Sequence, residues 1–528
     1  NHPYAADNGR ILDRNRFVMT NTIDLYANYN RKIGEDFELG AMVGHSFLKT
    51  RSRTSYIDAQ NYPSPAFDVA SVAANIVDAS AGLSEYAIES YFARLSLAYK
   101  DRYVVNATIR TDGSSRFAPD CRWGWFPSVS VGWNVSNESF WNAEKTDLKI
   151  RASYGRTGNQ DGISNYGWQA LISGGVNYGG QSGIAISSSG NDRLTWETAD
   201  QYNAGFDLSF LGGKINMIAD VYLKNTNNLL YSKPVHATTG ETSILSNIGS
   251  MRNKGVEFTI NTHLNLGKVL WSSSFNIARN VNKLTSLLED DLLSIGANRA
   301  LKLGRTVGSW YIFRTDGIYQ YDGEVPQALY DKGVRAGDVK YWDRNGDGNI
   351  TDDDRIVTGN PNPKFSGGWN NTFKYKGLEL SLFFTYSYGN DVYASWMIHG
   401  SKPGYTRSLL KAYADNRWTG PGTSDKYPRA IYSYSGWNGK NSTMYLTDGS
   451  FIRLRSVTLG YTFPQRLVSK IHLKGLRVYA QGDNVFLCSR YPGWDPETSV
   501  NLDPRFYGED NDGVPQPRIF KLGVNITF

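Results

Sequence analysis

The stretch VEFTINTHLNL, residues 256–266, decides how this chain folds. Side chains alternate along an extended strand, so Val256, Phe258, Ile260, Thr262, Leu264 and Leu266 share one face, while Glu257, Thr259, Asn261, His263 and Asn265 share the other. The strand has an oily side and a wet side. LELSLFFTYSY repeats the pattern, with Leu378, Leu380, Leu382, Phe384, Tyr386 and Tyr388 against Glu379, Ser381, Thr385 and Ser387. So does YVVNATIR, where Tyr103, Val105, Ala107 and Ile109 oppose Asn106, Thr108 and Arg110. These runs come in adjacent pairs joined by tight polar turns at AYKDRY (98–103), FLGGKI (210–215), NLGKVL (265–270) and KYKGLE (374–379), which predicts hairpins.

The other connections are long. Residues 51–86, 158–193, 284–363, 394–450 and 488–516 show no sustained alternation and are rich in Gly, Asn, Ser, Asp and aromatics. Loops of that length are uncommon in a compact soluble domain, whereas a transmembrane β-barrel combines short turns at one end with long loops at the other. Aromatics gather at the strand ends, at Trp123, Trp125 and Phe126, at Tyr386 and Tyr388, and at Tyr461 and Phe463, as expected of girdles at two membrane interfaces. The chain closes on RIFKLGVNITF, with Phe520, Leu522, Val524, Ile526 and Phe528 on one face. A last strand alternating to a terminal Phe528 resembles an outer-membrane insertion signal. The fold expected is all-β: a transmembrane antiparallel β-barrel with long extracellular loops.

Composition agrees. No run of about eighteen uncharged apolar residues occurs, so membrane-spanning helices are excluded. The net charge of +6 is scattered over 528 residues, which gives nucleic-acid binding no support. Cys121 and Cys488 make at most one bridge, and whether they pair is left open. Six scattered histidines lack metal-ligand spacing, and no nucleophile elbow or phosphate-cradling loop occurs, so an enzyme is not expected.

One motif stands apart. YWDRNGDGNITDDDR, residues 341–355, matches a calcium loop: Asp343, Asn345 and Asp347 offer side-chain oxygens, Gly348 permits the turn, Asn349 offers its carbonyl and Asp354 closes the shell. Position twelve is Asp where Glu is usual, and neither flank carries a helical apolar period, so a helix-loop-helix sensor is not expected. The expectation is a weak structural Ca2+ site in an extracellular connection, against the alternative of a solvated Asx turn.

An ordered set of motifs resembles one family, the SusC/RagA type of TonB-dependent outer-membrane transporter from Bacteroidetes. They are RTDGSSRFAPDCRWGWFPSVSVGWNVSNESFW (110–141), LKIRASYGRTGNQDG (148–162), LTWETADQYNAGFDLSF, NIGSMRNKGVEFTI, GDVKYWDRNGDGNITDDDRIVTGNPNPKFSGGWNNTFKYKGLELSLFF, DGSFIRLRSVTLGYTFP and LRVYAQGDNVFLCSRYPGWDPE. The resemblance implies a plugged barrel of about 22 strands. Residues 1–528 would supply its C-terminal part, about 14 to 16 strands. The plug, the TonB box and the remaining strands are then expected elsewhere, because the chain starts NHPYAADNGR with neither an initiator Met nor a leader. The resemblance further implies energy-coupled import of an oligosaccharide or peptide, with a SusD-like surface lipoprotein as lid, TonB acting through the missing part, and outer-membrane lipid around the wall. Candidate substrate contacts are Trp396, Trp418, Tyr432, Tyr434 and Trp437, whose rings could stack on sugar faces or instead pack the connections together. Arg453 and Arg455 are expected to solvate the lumen. Alternatives are a TonB-dependent siderophore or cobalamin receptor, or a secreted all-β glycan-binding protein.

Overall fold

The computed structural model describes residues 8–64, 66–142, 145–236, 238, 241, 243–287, 291–403, 408–432 and 436–528. Sixteen strands form its main sheet. They are β1 (Arg10–Ile33), β2 (Phe37–Gln60), β3 (Asn75–Tyr99), β4 (Tyr103–Ser114), β5 (Trp123–Trp125), β6 (Ser128–Asn134), β7 (Thr146–Asn159), β8 (Glu197–Phe210), β9 (Ile215–Asn227), β10 (Ser250–Leu266), β11 (Val269–Ser286), β12 (Phe365–Tyr375), β13 (Leu378–Tyr388), β14 (Phe451–Thr462), β15 (Gly475–Ser489) and β16 (Ile519–Thr527). Neighbours follow sequence order, with β5 alone off the path, paired to β4. No helix among the described residues is long and apolar enough to cross a membrane.

Contacts divide the chain into two units. The first comprises Asn1–Trp133, Ala152–Tyr202 and Thr226–Ile248. Its β1 and β2 each run for 24 residues in unbroken register from Arg10↔Gln60 to Ile33↔Phe37. At about 3.4 Å per residue they are roughly 80 Å long, several times the apolar band of a bilayer. This corrects the expected connection over 51–86: β2 and β3 stay paired up to Gln60↔Asn75, leaving only 61–74 to join them. A strand that has left the apolar band meets water on both faces, so alternation fades while the backbone ladder continues. Phe126 also departs from expectation. Trp123 and Trp125 are exposed, but Phe126 lies in a buried cluster with Phe117, Ile163, Leu194 and Trp196, its ring edge-on to Trp196 at 5.4 Å. Period two puts it on the face opposite Trp125.

The second unit comprises Asn134–Arg151, Asn203–Asn225 and Gly249–Phe528. Here the oily faces align in register. Phe258 pairs with Ile277, Ile277 with Gly367, Gly367 with Tyr386, Tyr386 with Ile452, and Ile452 with Cys488. Below this rank lie Ile260 with Phe275, Phe275 with Trp369 and Trp369 with Phe384. Lys376 and Gly377 make the turn between β12 and β13 with φ of 45° and 87°, the left-handed pair that a two-residue hairpin of this twist needs. A Cβ on Gly377 would also come within 2.4 Å of the Thr462 carbonyl. At the end of the sheet, Phe520, Leu522, Val524 and Phe528 are exposed on β16 and the residue after it. Cys121 and Cys488 are both free thiols.

The alternation predicts an asymmetry. In the complete protein folded into vesicles, Ile260→Lys should destabilise by about 2–4 kcal/mol, the cost of a charge near the middle of a lipid-facing strand, and Asn261→Lys should cost far less. Urea unfolding followed by the mobility difference between unheated and heated samples measures both. Equal losses would mean that the two faces are not lipid and water.

Candidate functional site in the folded connections

The long connections of the second unit are folded bodies. Between β11 and β12, Leu292–Ile295, Arg299–Lys302, Trp310–Phe313 and Arg355–Thr358 form a four-stranded sheet. Two connections meet in a second small sheet, where Asp391–Ala394 pairs antiparallel with Leu446–Asp448 of the same connection, between β13 and β14, and parallel with Glu509–Asp510 of the connection between β15 and β16. Two cores follow from this pairing. One gathers Trp310 and Ile312 from the connection between β11 and β12, Val392, Tyr393, Met397 and Tyr445 from that between β13 and β14, and Tyr491 from that between β15 and β16. The other packs Phe313, Ile318, Leu329, Val339 and Tyr341 against Trp418 and Trp437.

Charged groups tie these cores together and are largely buried. The Arg299 guanidinium is fully buried 4.1 Å over the Trp310 ring. It donates to the carbonyls of Gly308 at 2.5 Å, Tyr507 at 3.0 Å and Phe506 at 3.3 Å. Burial pushes its pKa down to about 10, with Glu509 opposing, so it stays charged at neutral pH. Asp338, also buried, takes both Arg429 Nε (2.8 Å) and Nη2 (3.0 Å), with Asn438 Nδ2 at 2.9 Å on Oδ1. Tyr491 donates to Asp510 Oδ2 at 2.5 Å and accepts from Trp396 Nε1 at 3.0 Å; burial and the carboxylate together push its phenol pKa well up.

Arg453 and Arg455 do not simply solvate an interior. Arg453, on the face of β14 opposite the exposed Ile452, is buried and pairs with Asp495 at 2.5 Å and Glu497 at 2.7 Å, and Arg455 pairs with Glu497. The carboxylates come from the connection between β15 and β16, more than 40 positions along the chain, so no local pattern announces the pairing.

The residues singled out from sequence are placed as follows. Trp396, Trp418 and Trp437 are partly buried, and their indole N–H groups serve Tyr491 Oη, Gln320 Oε1 (3.2 Å) and the Val339 carbonyl (2.9 Å). Tyr432 is 83% exposed. Tyr434 lies outside the described residues. Asp343, Asn345, Asp347, Asn349 and Asp354 form one tight loop between strands Val339–Tyr341 and Arg355–Thr358. Asp343 accepts the amides of Gly346 and Gly348, both at 2.8 Å; Asn345 accepts that of Asp347 at 3.0 Å, and Asp347 that of Asn349 at 2.7 Å. Asp354, fully buried, accepts the amides of Arg344 (2.8 Å) and Thr351 (2.7 Å). The Lys332 ammonium donates to Asn349 Oδ1 at 2.7 Å. The carboxylates are turned onto the loop's own amides, and among the described residues no three His, Cys, Asp or Glu converge as metal ligands.

The family model for TonB-dependent receptor-like β-barrels matches residues 1–485. The chain belongs to the TonB-dependent receptor β-barrel family. It is 33% identical over 525 residues to TonB-dependent receptor P26 of Formosa agariphila, covering 95% of this chain and 52% of that one. It is 29% identical over 555 residues to TonB-dependent receptor SusC of Bacteroides thetaiotaomicron, covering 100% and 52%. Among solved structures, the RagAB peptide transporter superposes with a TM-score of 0.85 at 22% identity, covering 98% of this chain and 56% of that one, which shows a shared fold. The chain thus spans about half the length of the curated relatives it matches. These matches agree with the SusC/RagA resemblance of the motifs. As a TonB-dependent receptor barrel, the chain resides in the outer membrane, its family is one of transporters and not of enzymes, and its oily face meets lipid. A secreted soluble protein is thereby set aside.

The buried ion pairs predict a local effect. Arg453→Ala would leave Asp495 and Glu497 without their partner, a loss of about 3–5 kcal/mol for a buried pair. Hydrogen exchange over 490–516 should accelerate strongly, while exchange in β10 to β13 stays unchanged. Unaltered exchange in the connection would show that its anchor lies elsewhere.

Proposed function

We propose that this chain forms the barrel wall and external connections of a SusC-type importer. The importer takes up an oligosaccharide or a peptide with a SusD-like surface lipoprotein, and TonB acts through a plug carried outside this sequence. The observation that carries the reading is the welding of three external connections into one packed body on the second unit, held by Arg299, Asp338 and Arg453. A folded platform of this kind presents a stable surface to a partner and a large cargo, which mobile loops could not do without an ordering cost. In it, the partly buried Trp396, Trp418 and Trp437 shape the platform, Tyr432 is the exposed contact, and Tyr434 is a further candidate by its sequence position. Phe528 serves the insertion machinery.

The test is direct. The complete protein extracted from outer membranes should retain a SusD-like lipoprotein, together with an oligosaccharide or peptide identified by mass spectrometry. Recovery of a ferric siderophore or a corrinoid, with no lipoprotein, would favour the siderophore or cobalamin reading. Tyr432→Ala should weaken cargo retention by about tenfold, the loss of one stacked ring, and leave lipoprotein binding intact.

For the loop at 341–355 we propose weak structural binding of Ca2+ by Asp343, Asn345, Asp347, the Asn349 carbonyl and Asp354. The donor types and their spacing support this reading. Binding requires at least one carboxylate to leave its amide, which fits the low affinity of extracellular sites, in the range of about 10⁻⁴–10⁻³ M. Removing Ca2+ with EDTA should then expose 340–356 to protease while the barrel stays intact. Identical cleavage with and without Ca2+ would identify the loop as self-supporting.

A further inference from the structure

The outer wall carries basic residues that the transport reading does not use. On β10 and β11 the register places Arg252 across from Lys283, Lys254 across from Val281, and Val256 across from Arg279. All share the face of Phe258 and Ile277, which meets lipid in a barrel of this family. Four exposed cations therefore stand directly above an apolar ladder.

Their height follows from the strand itself. Residues 256–266, ending at the short turn Gly267–Lys268, match the roughly 9–11 residues with which a tilted strand crosses the hydrocarbon core. The aromatic rank beside them agrees. Phe365 stacks on Tyr388 at 4.9 Å, and Tyr386 sits one pair lower, in the same rank as Phe258 and Ile277. Aromatics of this kind mark the boundary between acyl chains and headgroups. Lys254 and Arg279 thus lie at that boundary, on the side of the long connections.

The surface there is hollow. A depression of about 560 Å³ is lined by Lys254, Arg279, Leu223, Val256 and Val281 together with Tyr222 and Gly255. Arg252 donates to Asn225 at 2.8 Å, and among the described residues none of the four cations has a carboxylate partner. Unpaired cations around an apolar hollow at the headgroup level are complementary to a lipid that carries phosphate above acyl chains.

We propose that this hollow binds one phosphorylated glycolipid of the outer leaflet, with Lys254 and Arg279 on a headgroup phosphate, Arg252 and Lys283 supporting them, and an acyl chain along Val256, Val281 and Phe258. The proposal rests on the membrane placement of the chain and is independent of its cargo. It is tested by native mass spectrometry of the complete protein in detergent, titrated with bisphosphorylated lipid A, with the same lipid stripped of phosphate, and with inorganic phosphate. The bisphosphorylated lipid should bind one per protein. Lys254→Ala/Arg279→Ala should weaken it about thirtyfold, the loss of two cation–headgroup contacts. Val281→Glu, which sets a carboxylate across from Lys254, should weaken it similarly and serves if the double variant folds poorly. Lys268→Ala at the opposite turn should bind as the parent does. Equal binding by the dephosphorylated lipid, displacement by inorganic phosphate, or undiminished binding by both variants at the hollow would overturn the proposal. Loss of the outer-membrane barrel itself would instead show as a missing mobility difference between unheated and heated samples.

Discussion

Everything in this molecule depends on the cost of an unpaired backbone amide in hydrocarbon, several kcal/mol each. A strand in lipid must be paired on both sides, so the chain commits its amphipathic stretches to one sheet in strict sequence order. The same constraint dictates tight turns, such as Lys376–Gly377, since neighbouring strands have no room between them for anything else. It also governs side chains. Aliphatic and aromatic residues hold most positions in the lipid-facing ranks of β10 to β14, where one rank carries the uncharged polar Thr262, Ser273 and Asn371, and charges on that face appear only where 256–266 has already spanned the core.

Outside the bilayer the constraint relaxes, and other forces take over. The ladders of β1, β2 and β3 continue far past the apolar band without alternation, because water satisfies both faces. The connections of the second unit instead build cores of their own. Their tethers are buried charged groups whose burial is tolerable only because partners surround them, as for Arg299 among three carbonyls and Arg453 between two carboxylates. Such pairs add specificity to a body assembled from three distant segments, because misregistered packing would strand a charge.

The candidate site was legible only in part. The loop at 341–355 announces its donors by spacing, yet the direction of its carboxylates, inward to a cation or back onto its own amides, is a matter of backbone curvature that spacing does not contain. Tryptophans 396, 418 and 437 stand out by composition, but the partners of their N–H groups, Tyr491, Gln320 and Val339, lie 95 to 98 positions away. Phe126 is buried and not part of a girdle, because aromatic content near a strand end does not say which face a ring takes, and Trp196 supplies its neighbour from far along the chain.

By itself the sequence determined the strands that cross the membrane, their two faces and the turns between them, because period-two alternation and hairpin turns are local and lipid admits no other solution for the backbone. Only the tertiary structure decided what the long connections do. Which carboxylate meets Arg453, which carbonyls meet Arg299, and which cations on β10 and β11 share one hollow depend on pairings between segments tens to hundreds of residues apart, where many partners are chemically equivalent and geometry alone chooses among them.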